Sequence, residues 1–318
     1  MKKTELLSLA KKYSRTKHSL LLPKNEKVNL KNFECIYDSS WELASCEPYE
    51  VLTYLLDCYY HLPERPDLAS LFCWQAVNNS YNEILISNGA AALHDSDGIK
   101  ELIRVITSNN AKYYIPLHSY IDRLDDKVFR YMASYLLKGY VCNSLPSNKK
   151  CIIPSVYKSI TSNVSSIFKI LDDSYGKAYA SIASPTVVNA HLTLNIDPAN
   201  ALKSRNIVGS FAKELKQLFL LHGITLQKYG SNINVSYQIT DKEELYLLMF
   251  GIIYASRCNN FHGNVPSRLN TLNSNVESYK AYMGIFFTCY EVLAISLNFQ
   301  HKLSDSDLLR INNNFMLL

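Results

Sequence analysis

Apolar residues recur at helical spacing through most of this chain. Residues 48–62 and 67–87 each carry an apolar stripe with steps of three and four residues, and Pro48 suits the start of a helix. The same periodicity predicts helices over 98–107, 125–139 and, in segments divided by prolines, 152–222. The last long helix, predicted over 275–297, has an unbroken apolar seam. The seam consists of Val276, Tyr279, Met283, Phe286, Tyr290, Leu293 and Leu297.

A period of two replaces the helical period over residues 224–239. Apolar and polar residues alternate there on both sides of the turn sequence Tyr229-Gly230-Ser231-Asn232, which predicts a β-hairpin. The pattern as a whole predicts a mostly α fold. We expect a helical bundle with a large, mainly helical middle region that carries one small β-hairpin.

The stretch 240–264 has the strongest local signals. Thr240 and Glu243 form a capping box that marks the start of a helix. Residues 245–255 are apolar apart from one glycine, so no face is left for water, and the stretch is too short to cross a bilayer. Gly263 and Pro266 favour an end to the helix. We therefore predict the central helix of a soluble core.

Two residues with chemistry of their own lie where this helix ends. Arg257 is permanently charged and needs an anion, a cluster of carbonyls or water. His262 can exchange a proton near neutral pH. On an ideal helix the two lie about 140° apart, so both face one site only if the last turn unwinds. An arginine for phosphate charge and a histidine for proton transfer suit metal-independent cleavage of RNA.

A third candidate, Asn78, interrupts the apolar stripe of the helix predicted over 67–87. A buried amide must be hydrogen-bonded. Its partner is either a neighbouring helix backbone, which makes the residue structural, or one of Arg257 and His262, which makes it part of a site.

The motif Arg257-Cys-Asn-Asn-Phe-His262-Gly, at the end of an apolar helix, resembles the Arg-x4–6-His motif of the HEPN-domain family. Trp74-x-Ala76-x-Asn78-x-x-Tyr81 is similar to that family's first long helix. The resemblance implies a HEPN-type helical bundle built from residues 32–87 and 241–318. Residues 88–240 would be an insertion, and residues 1–31 a basic N-terminal arm.

The resemblance also implies a function. HEPN proteins include many metal-independent ribonucleases, so this chain would be an endoribonuclease in prokaryotic antiviral defence or a toxin–antitoxin system. It would need no cofactor and no metal. Arg257 and His262 would be catalytic, with Asn259, Asn260 and Asn78 in support. The partners implied are RNA, a second copy of the chain in a homodimer, and an antitoxin or defence-system protein. No membrane is involved.

A second hypothesis assigns the chain to a different class. The residue after the motif arginine is usually Asn, Asp or another strongly polar group, and here it is Cys258. If that marks a degenerate motif, the chain is a catalytically silent HEPN module that binds RNA or a partner protein. Glu291, beside the seam of the last helix, offers a structural explanation for Arg257, because it could neutralise the guanidinium. The seam itself suits either the core or a dimer interface.

Charge is unevenly distributed. Residues 1–31 hold nine Lys or Arg against Glu5 and Glu26, whereas the whole chain has a formal net charge of only +5. Such an arm could follow a phosphate backbone, or it could be a solvated segment that keeps the protein soluble. Apart from Tyr13, the arm shows no aromatic residues interleaved with the charges as a stacking platform.

Several other classes are not supported. The eight cysteines form no C-x-x-C pair, which favours a reducing cytoplasm over a disulfide scaffold or zinc site. There is no run of eighteen apolar residues, no glycine-rich phosphate loop and no Gly-x-Ser-x-Gly turn. The acidic segment 94–98 has glycine at the wrong offset for a calcium loop, so we predict a turn or a helix cap there.

Overall fold

The computed structural model describes residues 2–24, 30–43, 46–146, 151–261, 268–272 and 274–318, with residues 191, 259–261 and 268 described by their backbone alone. This described part is mostly α-helical, as predicted, with two small two-stranded antiparallel sheets. The chain divides into two compact units. Unit 1 comprises residues 1–125 and 256–318, and unit 2 comprises residues 126–255. The domain bounds expected from the HEPN resemblance stay a prediction.

The helices and strands follow in chain order. The N-terminal part of unit 1 contains α1 (Lys3–Lys11), α2 (Arg15–Leu21), α3 (Tyr49–His61), α4 (Pro66–Ser87), α5 (Asp95–Ser108) and α6 (Ile115–Ile121). Unit 2 contains α7 (Asp126–Asn143), α8 (Ser155–Asn163), α9 (Ser165–Ile170), α10 (Gly176–Ala180), β1 (Ala183–Val188), β2 (His191–Ile196), α11 (Ala201–Leu221), β3 (Gly223–Gln227), β4 (Asn234–Gln238) and α12 (Asp241–Tyr246). Then come α13 (Ala255–Phe261), α14 (Val276–Phe299) and α15 (Asp305–Asn312).

Unit 1 is organised around α14. Nearly every residue of this helix from Ser278 to Asn298 is buried, and the helix packs against α4, α5, α6 and α15. Helix α4 in turn packs against α3 and α5. Ser80 of α4 and Ser296 of α14 are both buried, and their hydroxyls hydrogen-bond each other at 2.7 Å. In a buried pair of this kind each hydroxyl has a hydrogen-bond partner, and the pair fixes the relative position of α4 and α14 along their axes.

The aromatic seam of α14 is internal core. Tyr279, Phe286 and Tyr290 are at most 2% exposed within this one chain. The Tyr290 hydroxyl accepts a hydrogen bond from the Ile36 amide at 2.6 Å and meets the Tyr59 hydroxyl at 2.8 Å. The seam therefore anchors the segment before α3. Of the two alternatives that the sequence left open for this seam, the core and a dimer interface, the burial supports the core.

Helix α14 is also long and apolar enough to cross a membrane, but 94% of its most apolar window is buried inside the protein. No other helix in the described residues meets that test. This burial is what the core helix of a soluble protein requires.

Unit 2 is built mainly on the packing of α7 against α11, with α8 and a π-helical segment, Leu247–Tyr254, beside them. A Cβ on Gly139 of α7 would overlap the ring of Tyr157 on α8, so these two helices approach closely because residue 139 has no side chain. Cys142 and Cys151 of this unit form a disulfide.

The predicted β-hairpin is confirmed as β3 and β4, in which Ile224 pairs with Tyr237. The helical prediction over 152–222 is wrong for residues 183–196, which form a second hairpin from β1 and β2. Asn189 and Ala190 join these strands with φ values of 50° and 62°, and a two-residue type I′ turn requires positive φ at both positions. The β-branched run Thr186-Val187-Val188 was the missed signal.

The predicted helix start at Thr240 is confirmed. The Thr240 hydroxyl accepts from the Glu243 amide at 3.3 Å, and the Glu243 carboxylate accepts from the Thr240 amide at 2.9 Å. The apolar stretch that follows is buried as expected, although residues 247–254 are π-helical rather than α-helical. π-Helical segments are rare and often lie near functional sites. Arg257 follows this segment in α13.

Glu291 lies on α14 and is completely buried. Its carboxyl faces Tyr120 of α6. The side-chain amide of Asn312 at the end of α15, in the orientation that satisfies both its oxygen and its nitrogen, donates to Glu291 Oε1 at 2.7 Å. Burial raises the pKa of Glu291 to about 8, with the hydrogen bond to Tyr120 acting in the opposite direction. The side chain is therefore protonated in the folded protein at neutral pH.

Replacement of this carboxyl tests that assignment. Because the pKa of Glu291 is higher in the folded chain than its ordinary value of 4.5, the stabilisation is complete below about pH 4.5 and is lost as the pH rises towards 8. The loss approaches about 1.4 kcal/mol per pH unit. We expect Glu291→Gln, which mimics the protonated form, to flatten this dependence and to be more stable than the wild type at pH 8.

The measurement is urea unfolding between pH 5 and 8. Both tryptophans, Trp41 and Trp74, belong to unit 1, so their fluorescence reports on the unit that contains Glu291. Glu277→Gln, at an exposed position in the first turn of the same helix, is the matched control and should leave the slope unchanged. Equal pH slopes in wild type and Glu291→Gln would contradict the assignment.

Candidate active site

Arg257 lies on α13, directly after residues that are fully buried. Ala255 is 0% exposed and Ser256 is 4% exposed, whereas the Arg257 side chain is 25% exposed. Its Nη1 atom lies 3.6 Å from Asp95 Oδ2 and also contacts the Cys258 sulfur at 3.8 Å. The anion that this guanidinium needs is thus supplied by Asp95. Glu291, the acid considered from the sequence, instead lies in the core with Tyr120 and Asn312.

Asp95 is the first residue of α5, where the helix dipole favours a negative charge. Its Oδ1 atom accepts hydrogen bonds from Asn78 Nδ2 at 2.9 Å and from the Tyr81 hydroxyl at 2.8 Å. Asn78 also donates to the Tyr81 hydroxyl and accepts from Asn82 at 3.0 Å. We call Arg257, Asp95, Asn78 and Tyr81 the Arg257 cluster.

Close packing of α5 on α4 brings these residues together. Gly98 lies against the Tyr81 ring, and a Cβ at residue 98 would overlap that ring. Tyr81 itself is 0% exposed and stacks edge to face on Trp74 at 6.1 Å. With its ring held on both sides, the Tyr81 hydroxyl is fixed in position to hydrogen-bond Asp95. The carboxylate that meets Arg257 is therefore set by buried groups.

The ion pair between Arg257 and Asp95 is partly open to solvent. The Asp95 side chain is 29% exposed, and 3.6 Å is longer than a normal N–H···O hydrogen bond. A pair of this kind holds the guanidinium by charge rather than by a bidentate hydrogen-bonded fork. The geometry is suited to a second anion, such as a phosphate, that reaches Arg257 from the solvent side.

The structure brings together two of the residues singled out from the sequence, Arg257 and Asn78, through Asp95. His262 lies outside the described residues. Asn259 and Asn260 are described only as part of the α13 backbone. Asn78 and Arg257 are thus linked indirectly, because the Asp95 carboxylate lies between them and contacts both.

Sequence reasoning missed Asp95. It lies in the segment 94–98, which was predicted to be a turn or helix cap, and a helix does begin there. Two features of the sequence could have identified it. An arginine at the end of a buried helix needs an anion, and Asp95 is an acid at a predicted helix cap close in sequence to Asn78. Tyr81 was recognised as part of the apolar stripe, but the role of its hydroxyl was not.

Comparison with protein-family models, with curated proteins and with solved structures finds no match. The case for function therefore depends on the residues of the chain and on the Arg257 cluster.

Removal of the Asp95 carboxylate should destabilise unit 1. Asp95→Ala takes the acceptor from the buried Tyr81 hydroxyl and from Asn78, and such a loss costs about 1–3 kcal/mol of unfolding free energy. The matched control is Asp97→Ala in the same helical turn. Asp97 is exposed and, among the residues that the structure describes, pairs with Lys100 at 3.6 Å, so its loss should cost less than about 0.5 kcal/mol.

Urea unfolding followed by tryptophan fluorescence measures both variants. If Asp95→Ala and Asp97→Ala unfold at the same urea concentration, Asp95 does not organise the cluster.

Proposed function

We propose that the protein is a metal-independent endoribonuclease of the HEPN type. The observation that carries the proposal is the contact of Arg257 with Asn78 through Asp95. Arg257 and Asn78 come from the two stretches that resemble HEPN proteins, which are separated by more than 170 residues of sequence. A shared polar cluster, partly open to solvent, is what a common active site would require of them.

In the proposed reaction the ribose 2′-hydroxyl attacks the adjacent phosphorus and the 5′-oxygen leaves. His262 transfers the proton, and Arg257 stabilises the negative charge that develops on the phosphate oxygens. The products are a 2′,3′-cyclic phosphate and a 5′-hydroxyl. Asp95 is a positioning residue, because it acts on the substrate through the guanidinium of Arg257. Asn259 and Asn260 adjoin these groups in sequence and are proposed to assist them.

One observation favours the second candidate function, a silent module that binds RNA or a partner protein. Asp95 already balances the charge of Arg257, so the guanidinium has a structural role without any substrate. Cleavage of total RNA in the presence of EDTA discriminates between the two candidates, since a silent module leaves the RNA intact.

By the same resemblance, we propose that the protein acts in the cytoplasm, in prokaryotic antiviral defence or as the toxin of a toxin–antitoxin system with a protein partner. Six of the eight cysteines are free thiols, which a reducing compartment would preserve. The Cys142–Cys151 disulfide points the other way. Fractionation of cells that express the protein, followed by thiol labelling, tests the compartment.

His262→Ala should abolish RNA cleavage with little change in thermal stability. Acid–base catalysis is typically worth about 10²–10⁴-fold in rate. EDTA should have no effect on the wild type. Cleavage of a labelled RNA and a thermal unfolding curve for each protein check both points. A His262→Ala variant that cleaves as fast as the wild type, or a wild type inhibited by EDTA, would refute the mechanism.

Arg257→Lys should also impair cleavage, because an ammonium group cannot make the bidentate phosphate contact of a guanidinium. The matched control is Arg104→Lys on α5, where the arginine side chain is 56% exposed and pairs with Glu101. Full activity in Arg257→Lys would remove the role assigned to this residue.

We further propose that the active form is a homodimer whose two Arg257 and His262 pairs line one cleft. A single histidine cannot easily deprotonate the 2′-hydroxyl and protonate the leaving oxygen on opposite sides of phosphorus in one step. Two copies related by a two-fold axis would share the work. Since the α14 seam is buried, the interface must use other surfaces, among them the end of α13.

Mixing two inactive chains tests the composite site. Arg257→Ala and His262→Ala chains should recover part of the activity when combined, and the wild-type mass in solution should be about twice 36.3 kDa. A monomer that retains full cleavage activity at nanomolar concentration would rule the dimeric site out.

A further inference from the structure

A cavity of about 330 Å³ opens on unit 1, away from the residues of the Arg257 cluster in sequence. It is formed where α2 approaches the end of α3. Its volume lies at the small end of the range for ligand sites, about 300–1,000 Å³. The side chains that matter here are Tyr13, Arg15, His18, Tyr60, His61 and Glu64. We call this cavity the N-terminal pocket.

Two tyrosines in this pocket are unusually exposed. Tyr13 is 67% exposed and Tyr60 is 68% exposed, although both are large aromatic residues. The Arg15 guanidinium carbon lies 6.0 Å from the centroid of the Tyr60 ring, and Arg15 Nη2 lies 3.4 Å from the Tyr60 hydroxyl. Exposed aromatic rings beside arginine form the kind of platform on which unpaired nucleobases stack. Of the two exposed rings, Tyr60 is supplied by α3, and Tyr13 belongs to the arm itself.

The two histidines form a fixed wall of the pocket. His61 stacks on Phe72 with ring centroids 5.4 Å apart, and burial lowers its pKa, with Arg65 adding to the effect. His18 hydrogen-bonds Asn270 at 2.8 Å. The charged side chains of the pocket are Arg65, which is paired with Asp67 at 2.8 Å, and Arg15 and Glu64. Arg15 and Glu64 are exposed, and neither forms an ion pair with another residue of the described ranges.

The pocket therefore combines a cation, an aromatic face and a carboxylate in a space the size of one nucleotide. Arginine binds phosphate, and the aromatic face stacks a base. A carboxylate accepts N–H groups from the base edge. Among the four RNA bases, guanine alone presents two adjacent N–H donors, N1–H and N2–H, to a carboxylate that accepts with both oxygens.

We infer that the N-terminal pocket holds one guanosine of single-stranded RNA. Arg15 contacts its phosphate, Tyr60 stacks on the base, and Glu64 accepts hydrogen bonds from the Watson–Crick edge. The nine basic residues of the arm would attract the flanking phosphates. This inference rests on the proposed ribonuclease function and extends it, because it names guanosine as the nucleotide that the enzyme recognises in its RNA substrate.

The test uses short RNAs that cannot be cleaved. Labelled octamers of 2′-fluoro uridine carry one central guanosine, inosine or adenosine, also 2′-fluoro, so no 2′-hydroxyl is present to attack. Affinity for the wild type is measured by fluorescence anisotropy at several salt concentrations. Inosine keeps N1–H but lacks the 2-amino group. We expect guanosine to bind about tenfold tighter than adenosine, with inosine in between.

Three variants assign the roles. Glu64→Gln should remove the preference for guanosine over adenosine. Tyr60→Leu should weaken every octamer by at least about fivefold through lost stacking. Arg15→Gln should weaken all octamers and lower the salt slope by about 1. Glu50→Gln and Tyr49→Leu, at exposed positions of the same helix α3 outside the pocket, are the matched controls and should bind as the wild type does.

All five positions are exposed, and circular dichroism confirms that each variant is folded. Equal affinity of the wild type for the three octamers, or a guanosine preference that survives Glu64→Gln, would overturn the inference. If RNA is cleaved but the octamers bind equally, the pocket assignment fails and the ribonuclease stands. If guanosine binds through Glu64 but no RNA is cleaved, the pocket stands and the ribonuclease fails.

Discussion

The burial of α14 against α4 is the constraint on which unit 1 depends. A helix that is apolar on all sides has to be surrounded, and α4, α5, α6 and α15 surround it. Because α4 is held on one side by α14, its other residues can be presented to α5 in a fixed register. Asn78 and Tyr81 owe their positions to that packing. The positions of the residues in the Arg257 cluster are thus a consequence of the packing of the core.

Two carboxyl groups in unit 1 show how environment decides charge. Asp95 lies at a helix N-terminus, accepts two hydrogen bonds and pairs with Arg257, and these partners all interact favourably with a negative charge. Glu291 has neutral partners and no exposure, so burial dominates and raises its pKa to about 8. The same residue chemistry therefore supplies a fixed negative charge at the cluster and a neutral hydrogen-bonding group in the core.

Local pattern and turn chemistry were sufficient to predict the longer helices, the capping box at Thr240 and the hairpin at 224–239, whereas the short helices α6 and α15 were not predicted. Periodicity failed at 183–196, where a run of helical spacing was extended across a β-branched segment. The site was predictable in part. Arg257 and Asn78 stand out in the sequence because each is a polar residue in an apolar stretch. Asp95 does not stand out, because it lies in an acidic segment with a glycine, which is typical of a helix cap. Its role becomes visible only once the packing of α5 on α4 is known.

Asp95 can help or hinder the binding of a phosphate to Arg257, and the strength of the Asp95–Arg257 ion pair decides which. A half-exposed pair with its atoms 3.6 Å apart is worth about 1 kcal/mol or less in water. A phosphate carries more charge than a carboxylate and matches the planar fork of a guanidinium. Exchange of one anion for the other, or sharing of the guanidinium between them, then costs little. Asp95 therefore supplies Arg257 with an anionic partner, and the weakness of the pair leaves the guanidinium able to accept the phosphate of the proposed reaction.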